Sequence, residues 1–497
     1  MGKTGKKTAD QLHVGFDNLD RLRSMDSDIV DLVYLDPPFN KQKIFVLEKE
    51  DSRKKSFSDI WTLNDFCIAR HLIMKNNEPG LHALLEGIHA SNGNDWLAYL
   101  SYMSARLLEM KRILKTTGSI YYHCDPTMSH GIKLIMDAIF GRENFRNEIV
   151  WRKTNSPKAQ SSAFGAQHDI ILYYTKSESF VFNKAHTKPD EKSLKPFRYE
   201  DKKGRYQTVP LVAAGLQKSD KRKQFNFRGV EAPWLYKKKT LEEWWAAGLI
   251  VKTKEAYRKK EYLSDSKGKI VSDIWADDDV RPLQGGAKES TGYPTQKPEA
   301  LLKRIINTSS NSGDTVLDPF CGCATALAVA NDLGRKWIGI DISVEVEDII
   351  KKRIPSIRSH QINHQTKWND QQGKGASRRK LIEHCLLYQK SPNGNNKYYC
   401  NGCGAEFDVD DDVTIDHYHP KKKGGVTYYS NIQLLCKQCN NLKGDKSMEY
   451  LYIQLAERVK KKRTRQGQQH LGFINPEIEN LLLDMASKQK KKRKNPK

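Results

Sequence analysis

The sequence predicts an α/β protein built on a parallel sheet, followed by a small zinc-binding domain. Two stretches, one to about Trp151 and one from Pro298 to about Ile354, alternate short apolar strands with helical patterns, which is typical of parallel strands joined by helical crossovers. Further along, two Cys-x-x-Cys pairs lie within one compact segment, and such pairs are typical of a zinc site. The length of 497 residues allows roughly two to four domains.

Composition indicates an intracellular protein with a polyanionic partner. The formal net charge is +24 and the pI is about 9.4, so nucleic acid is the first expected partner and a merely basic protein, such as a ribosomal one, is the alternative. No apolar run is long enough to span a membrane, and the first residues lack the apolar stretch of a signal peptide. Nine cysteines in a reducing compartment indicate metal binding rather than disulfides.

A rigid turn follows the apolar run Ile29–Leu35 and consists of Asp36, Pro37, Pro38 and Phe39. The two prolines fix φ and remove two backbone donors, which leaves the Pro37 carbonyl free to accept hydrogen bonds. Asp36 and that carbonyl can accept both N–H donors of an exocyclic base amine, while Phe39 stacks on the base. We therefore predict that these four residues form the catalytic site for methylation of a nucleobase amine.

A second strand, Thr315–Leu317, ends in the turn Asp318–Ala324 and then enters a helix. Small residues in this turn let backbone amides approach a ligand closely, although a tight strand-to-helix connection looks the same. The next strand, Trp337–Ile340, is followed by Asp341, where a ribose diol would be held.

A third element, Thr295–Pro298, precedes a helix predicted over Glu299–Ile306. Pro298 suits the first helical position. The amides of this turn and the ammonium of Lys297 can hold the carboxylate of an amino-acid ligand.

The regions between and after these elements differ in composition. The segment 152–290 is basic, aromatic and irregular. This composition favours a role in DNA recognition over the alternative of a variable, loop-rich insertion without such a role. Residues 359–380 are polar and predict a linker. The tail 453–497 is rich in lysine, which is typical of a solvated end that binds phosphate weakly.

Together these motifs resemble the DNA amino-methyltransferases, enzymes that use S-adenosylmethionine to methylate N6 of adenine or N4 of cytosine. The stretches Tyr34–Asn40 and Thr291–Pro298 are highly characteristic, and the order of motifs is similar to the permuted beta class. The resemblance covers about 1–355. It implies a Rossmann-like methyltransferase fold with permuted motif order, in which 1–151 handles the base, 152–290 recognises the target and 291–358 binds the cofactor.

The resemblance also implies roles for single residues. Asp36, Pro37 and Phe39 take a flipped base, and Asp-Pro-Pro rather than Ser-Pro-Pro favours adenine over cytosine. Ala324 departs from the family, which often has glycine there. The residues expected at the cofactor are Asp17 near its adenine, Lys297, the turn residues Asp318, Phe320 and Gly322, and Asp341 at its ribose.

The cysteine pairs predict one tetrahedral zinc site. Its role is expected to be structural, because four thiolate ligands leave no open coordination position for catalysis. Its ligands are Cys400, Cys403, Cys436 and Cys439.

The surrounding segment 381–452 contains Asp416-His417, Asn431 and Asn440, and it resembles the HNH nucleases of ββα-metal fold. The resemblance implies that His417 activates water, that Asn431 positions the His loop, and that Asp416 and Asn440 hold Mg²⁺ or Mn²⁺. His419 is a supporting candidate. A zinc-stabilised module that binds DNA without cutting is the alternative.

We thus predict a site-specific DNA N6-adenine methyltransferase that uses S-adenosylmethionine, fused to an HNH endonuclease in a restriction–modification enzyme acting on double-stranded DNA. The alternatives are N4-cytosine specificity, a non-cutting C-terminal module, and a basic scaffold without either activity, against which Asp36 and Asp416-His417 argue. The resemblance implies a cytoplasmic, nucleoid-associated protein of a prokaryote or phage, without membrane contact and with a homodimer as one option.

Overall fold

A computed structural model gives the fold of the chain. Two residues of the predicted nuclease site, His419 and Asn431, lie outside the residues that it describes. The described residues are 10–15, 17–41, 43–49, 52–59, 78–154, 164–187, 189, 191–212, 224–253, 256–266, 268–283, 286–293, 295–344, 346–364, 378–389, 397–409, 413–417, 432–446 and 448–466.

Strands and helices alternate in the described residues of two segments, Gln11–Arg152 and Glu299–His364, as the apolar periodicity predicts. The strands are β1 Gln11–Val14, β2 Val30–Leu35, β3 Lys43–Lys49, β4 Ser52–Asp59, β5 Leu114–Cys124, β6 Phe145–Arg152, β7 His168–Thr175, β8 His186–Thr187, β9 Tyr199–Asp201, β10 Gly204–Pro210, β11 Gln224–Phe227, β12 Val230–Pro233, β13 Ile250–Lys252, β14 Tyr257–Tyr262, β15 Lys269–Ile270, β16 Ile274–Trp275, β17 Thr315–Asp318, β18 Lys336–Asp341, β19 Ile362–His364, β20 Lys397–Tyr399, β21 Glu406–Asp408, β22 Val413–His417 and β23 Ile432–Cys436. The α-helices are α1 Asn18–Arg23, α2 Pro79–Asn92, α3 Asn94–Ile113, α4 Pro126–Phe140, α5 Glu191–Leu194, α6 Lys238–Ala246, α7 Glu299–Ser309, α8 Thr325–Asp332, α9 Glu347–Arg353, α10 Arg378–Gln389, α11 Lys437–Lys443 and α12 Met448–Gln466.

A nine-stranded sheet forms the centre of the fold, in the order β16-β6-β7-β5-β2-β17-β18-β1-β19. Every neighbouring pair is parallel except the two pairs that β7 makes, with β5 and β6. Parallel sheets are covered on both faces, so their strands are buried on both sides. β17 fits this rule, because all four of its residues are buried.

The chain order reverses between β2 and β17, which lie side by side with Leu32 opposite Val316 and Val33 opposite Leu317. From β2 the chain continues to β5 on one side, and from β17 it continues to β18 on the other. Ligands of open α/β sheets bind in the crevice that such a reversal opens at the carboxyl ends of the strands. The turns that start at Asp36 and Asp318 therefore both open into this crevice.

Helix α4 shows how local sequence sets an element boundary. Asp125 is its N-cap and accepts a hydrogen bond from the amide of Thr127, and Pro126 takes the first helical position, where no amide donor is needed. Its apolar side buries residues such as Ile132 and Ile135. This cap fixes the exit from β5, the strand next to β2.

The residues Lys184–Ser272 form a compact unit of their own. An antiparallel sheet in the order β13-β14-β10-β9 lies in this unit, with a separate core that includes Phe227, Trp234 and Leu241. The unit is narrower than the insertion predicted over 152–290. The difference arises because β7 and β16 join the central sheet, and the apolar run of β7 is hidden in the sequence by its basic surroundings.

The predicted linker is also shorter in the structure. β19 lies within 359–380 and pairs in parallel with β1, with Leu12 opposite Ile362. Helix α10 begins at Arg378. Short edge strands of polar composition carry little apolar signal, which is why the sequence suggests a linker here.

The C-terminal domain contains two antiparallel hairpins, β20–β21 and β22–β23, followed by α11 and α12. β22, β23 and α11 form the ββα arrangement that the sequence predicts. Among the helices of the described part of the chain, none is both long and apolar enough to cross a membrane.

Candidate functional site

The turn after β2 presents one carboxylate to the crevice. The ammonium of Lys297 donates a hydrogen bond to Oδ2 of Asp36. Oδ1 of Asp36 is buried and has no hydrogen-bond partner among the described residues. A buried carboxylate oxygen without a donor is unfavourable, so a ligand that brings an N–H group would be stabilised here. The turn ends at Asn40, which has φ of +60°.

The aromatic ring of the same turn lies against a buried histidine. Phe39 stacks on His123, with ring centroids 6.0 Å apart and planes 23° apart. The ammonium groups of Lys41 and Lys297 lie 5.2 and 5.5 Å from the centre of the Phe39 ring. Phe39 thus has a fixed aromatic neighbour, as a platform for a base requires.

His123 belongs to a buried polar network beneath this turn. Its Nδ1 is 3.1 Å from the hydroxyl of Tyr34, and its Nε2 is 3.3 Å from Oδ2 of Asp169. Lys153 donates to the other oxygen of Asp169 at 2.7 Å. Burial alone would raise the pKa of Asp169, but hydrogen bonds and charges from His123 and Lys153 outweigh it and hold that pKa well below its ordinary value.

The turn after β17 is held by its own carboxylates. Oδ1 of Asp318 accepts from the amide of Phe320 at 3.1 Å. Asp341 accepts from the amides of Gly322 and Ser343 through its two oxygens, each at 2.8 Å. Asp341 therefore shapes the turn, and carboxylate oxygens have further lone pairs with which to accept a ribose hydroxyl.

Positive φ angles make this turn tight. Gly322 has φ of +47°, and a Cβ on it would lie 3.1 Å from the ring of Tyr293. Ala324 has φ of +57° directly before α8, a left-handed conformation that costs a non-glycine residue roughly 1–2 kcal/mol. The glycine that the family often has at this position would adopt this conformation without that cost. The backbone of this turn thus packs closely against the Tyr293 ring and leaves little room for a side chain at Gly322.

The crevice is acidic. Burial and then the carboxylates of Asp36 and Asp341 raise the pKa of Asp318 well above its ordinary value, while the Lys297 ammonium acts in the opposite direction. A cationic group such as a sulfonium would be favoured among these carboxylates. The structure therefore brings together Asp36, Lys297, Asp318 and Asp341, which the sequence predicts from distant parts of the chain.

A buried arginine ties the first segment to this crevice. Arg106 donates to Oδ1 of Asp17 and to Oδ1 of Asn18, at 2.6 Å in both cases. Asn18 in turn donates to the carbonyl of Pro319 at 2.8 Å. Asp17, predicted at the cofactor adenine, is thus held beside the turn that follows β17.

The four cysteines of the C-terminal domain converge. Their sulfur atoms all lie within 4.8 Å of one another, and all four residues are buried. The amide of Cys436 donates to the sulfur of Cys400 at 3.2 Å. A Cβ on Gly402 would lie 2.8 Å from the sulfur of Cys439, so the first knuckle has room only for glycine. This donor set fits one tetrahedral zinc ion.

The carboxylate of Asp416 is paired with a buried lysine. The ammonium of Lys443 lies 2.9 Å from Oδ2 and 3.2 Å from Oδ1, and Gln433 donates to Oδ2 at 2.8 Å. Lys443 also donates to the backbone carbonyl of His417 at 2.9 Å. The ammonium of Lys443 thus balances the charge of Asp416, and the role of Asp416 as a metal ligand stays a prediction. For Asn440, on α11, the role of metal ligand stays a prediction.

Comparison with known proteins identifies both parts of the chain. A family described as "DNA methylase" matches residues 30–352. The chain belongs to this DNA methylase family. A second family, described as "HNH endonuclease", matches residues 400–446 and shows that the methylase is fused to an HNH endonuclease domain.

Curated relatives agree with this assignment. The Type II methyltransferase M.EcaI of Enterobacter cloacae is 37% identical over 262 residues, which cover 52% of this chain and 57% of the relative. The Mod subunit of the Type III restriction-modification enzyme StyLTI of Salmonella typhimurium is 27% identical over 64% of this chain and 49% of its own length. The DNA adenine methyltransferase YhdJ of Escherichia coli is 46% identical over 21% of this chain and 34% of its own. This DNA methylase thus spans about half the length of the first two.

Sequence reasoning missed several residues of these sites. Each is a buried polar or charged residue, namely His123 on β5, Asp169 on β7, Arg106 on α3 and Gln433 on β23. Such residues are seldom buried unless they are paired, so a lone polar residue in the apolar runs of β5, β7 and β23 is the available signal, whereas α3 is mixed in composition and gives none.

Proposed function

We propose that this DNA methylase uses S-adenosylmethionine to methylate N6 of adenine in double-stranded DNA, and that it acts in restriction–modification together with its HNH domain. The observation that carries the proposal is Oδ1 of Asp36, which is buried and has no hydrogen-bond partner in the part of the chain that the structure describes, in the same turn as the aromatic ring of Phe39. An exocyclic amine supplies the N–H donor that this oxygen lacks, and the attached base supplies a face for the ring.

The residues of the crevice would act on a base that has left the DNA stack, which costs a few kcal/mol of unpairing. Asp36 and the carbonyl of Pro37 accept the two amine hydrogens and so orient the nitrogen lone pair. Phe39 holds the plane of the base. Bound S-adenosylmethionine would supply the electrophilic methyl group, whose bond to sulfur breaks as the bond to nitrogen forms, and would leave as S-adenosylhomocysteine. The proton displaced from the amine would leave through its hydrogen bond to Asp36 and pass to solvent. Positioning and electrostatics by this chain then carry the step.

The cofactor would occupy the turn after β17 and its neighbours. Asp318, Phe320 and Gly322 line that turn, Asp341 is placed for the ribose diol, and the acidic crevice favours the sulfonium charge. Asp17 would lie near the adenine of the cofactor. We propose adenine rather than cytosine as the substrate base because the motif is Asp-Pro-Pro. The relative YhdJ, which is named a DNA adenine methyltransferase, supports this choice.

The unit Lys184–Ser272 would recognise the target sequence. It contains 23 Lys and Arg residues against 11 Asp and Glu, a net charge of +12 and half that of the whole chain. Within it, the guanidinium of Arg228 lies 4.6 Å from the Trp245 ring and the ammonium of Lys259 lies 4.3 Å from Trp244. Basic side chains combined with aromatic rings are typical of nucleic-acid contacts.

For the C-terminal domain we propose a structural zinc ion on the four cysteines and DNA cleavage in which His417 activates water. A second candidate function, DNA binding without cleavage, is favoured by the engagement of Asp416 with Lys443. Zinc would hold the two hairpins together in either case, since its binding energy contributes directly to folding.

Sequencing of modified bases in DNA from cells that express the protein tests the methylation proposal. We expect N6-methyladenine at one recurring site in the wild type. Incubation of purified protein with methylated and unmethylated plasmid, with added Mg²⁺ or Mn²⁺, separates cleavage from binding alone.

A further inference from the structure

Lys297 lies at the base turn, although its sequence motif predicts a cofactor ligand. Its ammonium donates to Oδ2 of Asp36 and lies 3.4 Å from the carbonyl of Thr295. The side chain is 10% exposed, so the ion pair is largely shielded from water. The same ammonium lies 5.5 Å from the centre of the Phe39 ring. Its charge is thus committed to the residues that take the base.

The surrounding loop is built to place this side chain. Gln296 accepts hydrogen bonds from the amide and the hydroxyl of Thr291, at 2.8 and 2.7 Å, and donates to the carbonyl of Glu289 at 2.7 Å. Thr295 has φ of +68°, a conformation that is strained for a β-branched residue. The strained backbone of Thr295 and the three hydrogen bonds of Gln296 together fix the backbone from which Lys297 extends.

The two oxygens of Asp36 have different environments as a result. Oδ2 is held by the ammonium, whereas Oδ1 is buried and has no partner among the described residues. A carboxylate that is held at one oxygen cannot rotate freely about χ2, so its second oxygen keeps one direction. Charge-assisted hydrogen bonds are about twice as strong as neutral ones, which makes the ammonium an effective anchor.

We propose that Lys297 is a positioning residue of the base site, which holds Oδ2 of Asp36 so that Oδ1 accepts the amine of the target base. The inference rests on the proposed methyl transfer. It replaces the role at the cofactor carboxylate that the sequence motif suggests. Lys297 acts through Asp36 and does not itself touch the reacting atoms.

The test compares Lys297→Met, Lys297→Arg, Asp36→Asn and the Lys297→Met/Asp36→Asn double variant in the full-length protein. Lys303→Met is the matched control, because Lys303 is an exposed lysine on α7, close by in sequence. Calorimetric titration with S-adenosylhomocysteine reports cofactor affinity without activity. Single-turnover methyl transfer to target DNA at saturating cofactor reports the chemical step.

We expect Lys297→Met to leave the Kd for S-adenosylhomocysteine within about twofold of wild type and to slow single-turnover transfer about 100-fold, the scale of a misplaced catalytic group. In the Asp36→Asn background the same change should cost less than about threefold, because the anchor has lost its carboxylate partner. Lys297→Arg should retain folding and cofactor affinity and restore part of the rate. Lys303→Met should match wild type in both measurements.

A Kd raised tenfold or more in Lys297→Met, with an unchanged rate at saturating cofactor, would overturn the inference and return Lys297 to the cofactor. Equal losses with and without Asp36 would also overturn it. If Lys297→Met does not fold, Lys297→Arg decides by the same two measurements. If the wild type methylates no DNA, the proposed function fails, and the titration alone still shows whether Lys297 serves the cofactor.

Discussion

The imidazole of His123 lies nearly parallel to the ring of Phe39, with 6.0 Å between the centroids and 23° between the planes. His123 is buried and is held from both sides, by Tyr34 and by Asp169. The ring proposed to stack on a target base therefore rests on a fixed support.

Replacement of His123 by Ala should lower methyl transfer about tenfold in kcat/KM, mainly through weaker capture of the flipped base, because Phe39 loses its aromatic neighbour. With 2-aminopurine at the target position, the fluorescence increase on base flipping should be smaller. His130→Ala is the control, since His130 is exposed on α4. A full fluorescence response in His123→Ala would show that Phe39 needs no such support.

Asp169 should make stability depend on acid pH. Its pKa in the folded protein is depressed, so its contribution to the free energy of unfolding is present above the pKa of an unfolded aspartate, about 4, and is lost as the pH falls below that value. Asp169→Asn should therefore unfold at a lower temperature than wild type at pH 7, and the difference in Tm should shrink toward pH 3. A difference that stays constant between these pH values would contradict the assignment of the charge to Asp169.

Gly322 should be required for cofactor binding. Gly322→Ala places a methyl group 3.1 Å from the Tyr293 ring at φ of +47°, so the turn must shift. We expect the Kd for S-adenosylhomocysteine to rise at least tenfold. Gly313→Ala is a matched control, because Gly313 also has a positive φ, +85°, but its added Cβ would meet no atom within 4 Å. Both variants should lose stability, whereas only Gly322→Ala should lose cofactor affinity.

Zinc binding and cleavage should separate in the HNH domain. Cys400→Ser should remove about one zinc per chain and unfold the domain, because the four sulfurs hold its two hairpins. His417→Ala should keep zinc and methyl transfer while abolishing cleavage. Zinc content by mass spectrometry and a plasmid cleavage assay check both statements. If the wild-type protein binds zinc and DNA but cuts no plasmid with either Mg²⁺ or Mn²⁺, the cleavage proposal is wrong and DNA binding remains as the function of this domain.

The sequence predicts the chemistry of the sites better than their mutual arrangement. The turns at Asp36 and Asp318 are contiguous motifs of characteristic residue types, so both are evident in the sequence, and their proposed ligands follow from those residue types. The contact between Lys297 and Asp36 joins residues 261 positions apart, and nothing local indicates it. The pairing of Asp416 with Lys443 depends in the same way on how α11 packs against β22.

The sequence predicts the limits of the domains less well where a buried strand lies in a stretch of polar or basic composition. β7 is apolar but lies within a basic stretch, and β19 is a short edge strand of only three residues, so both fall outside the predicted sheet. The inserted unit Lys184–Ser272 is accordingly the segment to exchange with that of a relative in a test of target choice. We expect the exchange to move methylation to the relative's site.

The central claim is that Asp36 presents a carboxylate oxygen to an adenine amine. Modified-base sequencing of DNA from cells that express wild type, Asp36→Ala or Asp31→Ala tests it most directly. Asp31 lies on the same strand, but its carboxylate pairs with Lys115 and with the amide of Thr315. We predict N6-methyladenine with wild type and Asp31→Ala and none with Asp36→Ala, whose affinity for S-adenosylhomocysteine should survive. N4-methylcytosine as the only product, or methylation that persists in Asp36→Ala, would contradict the account.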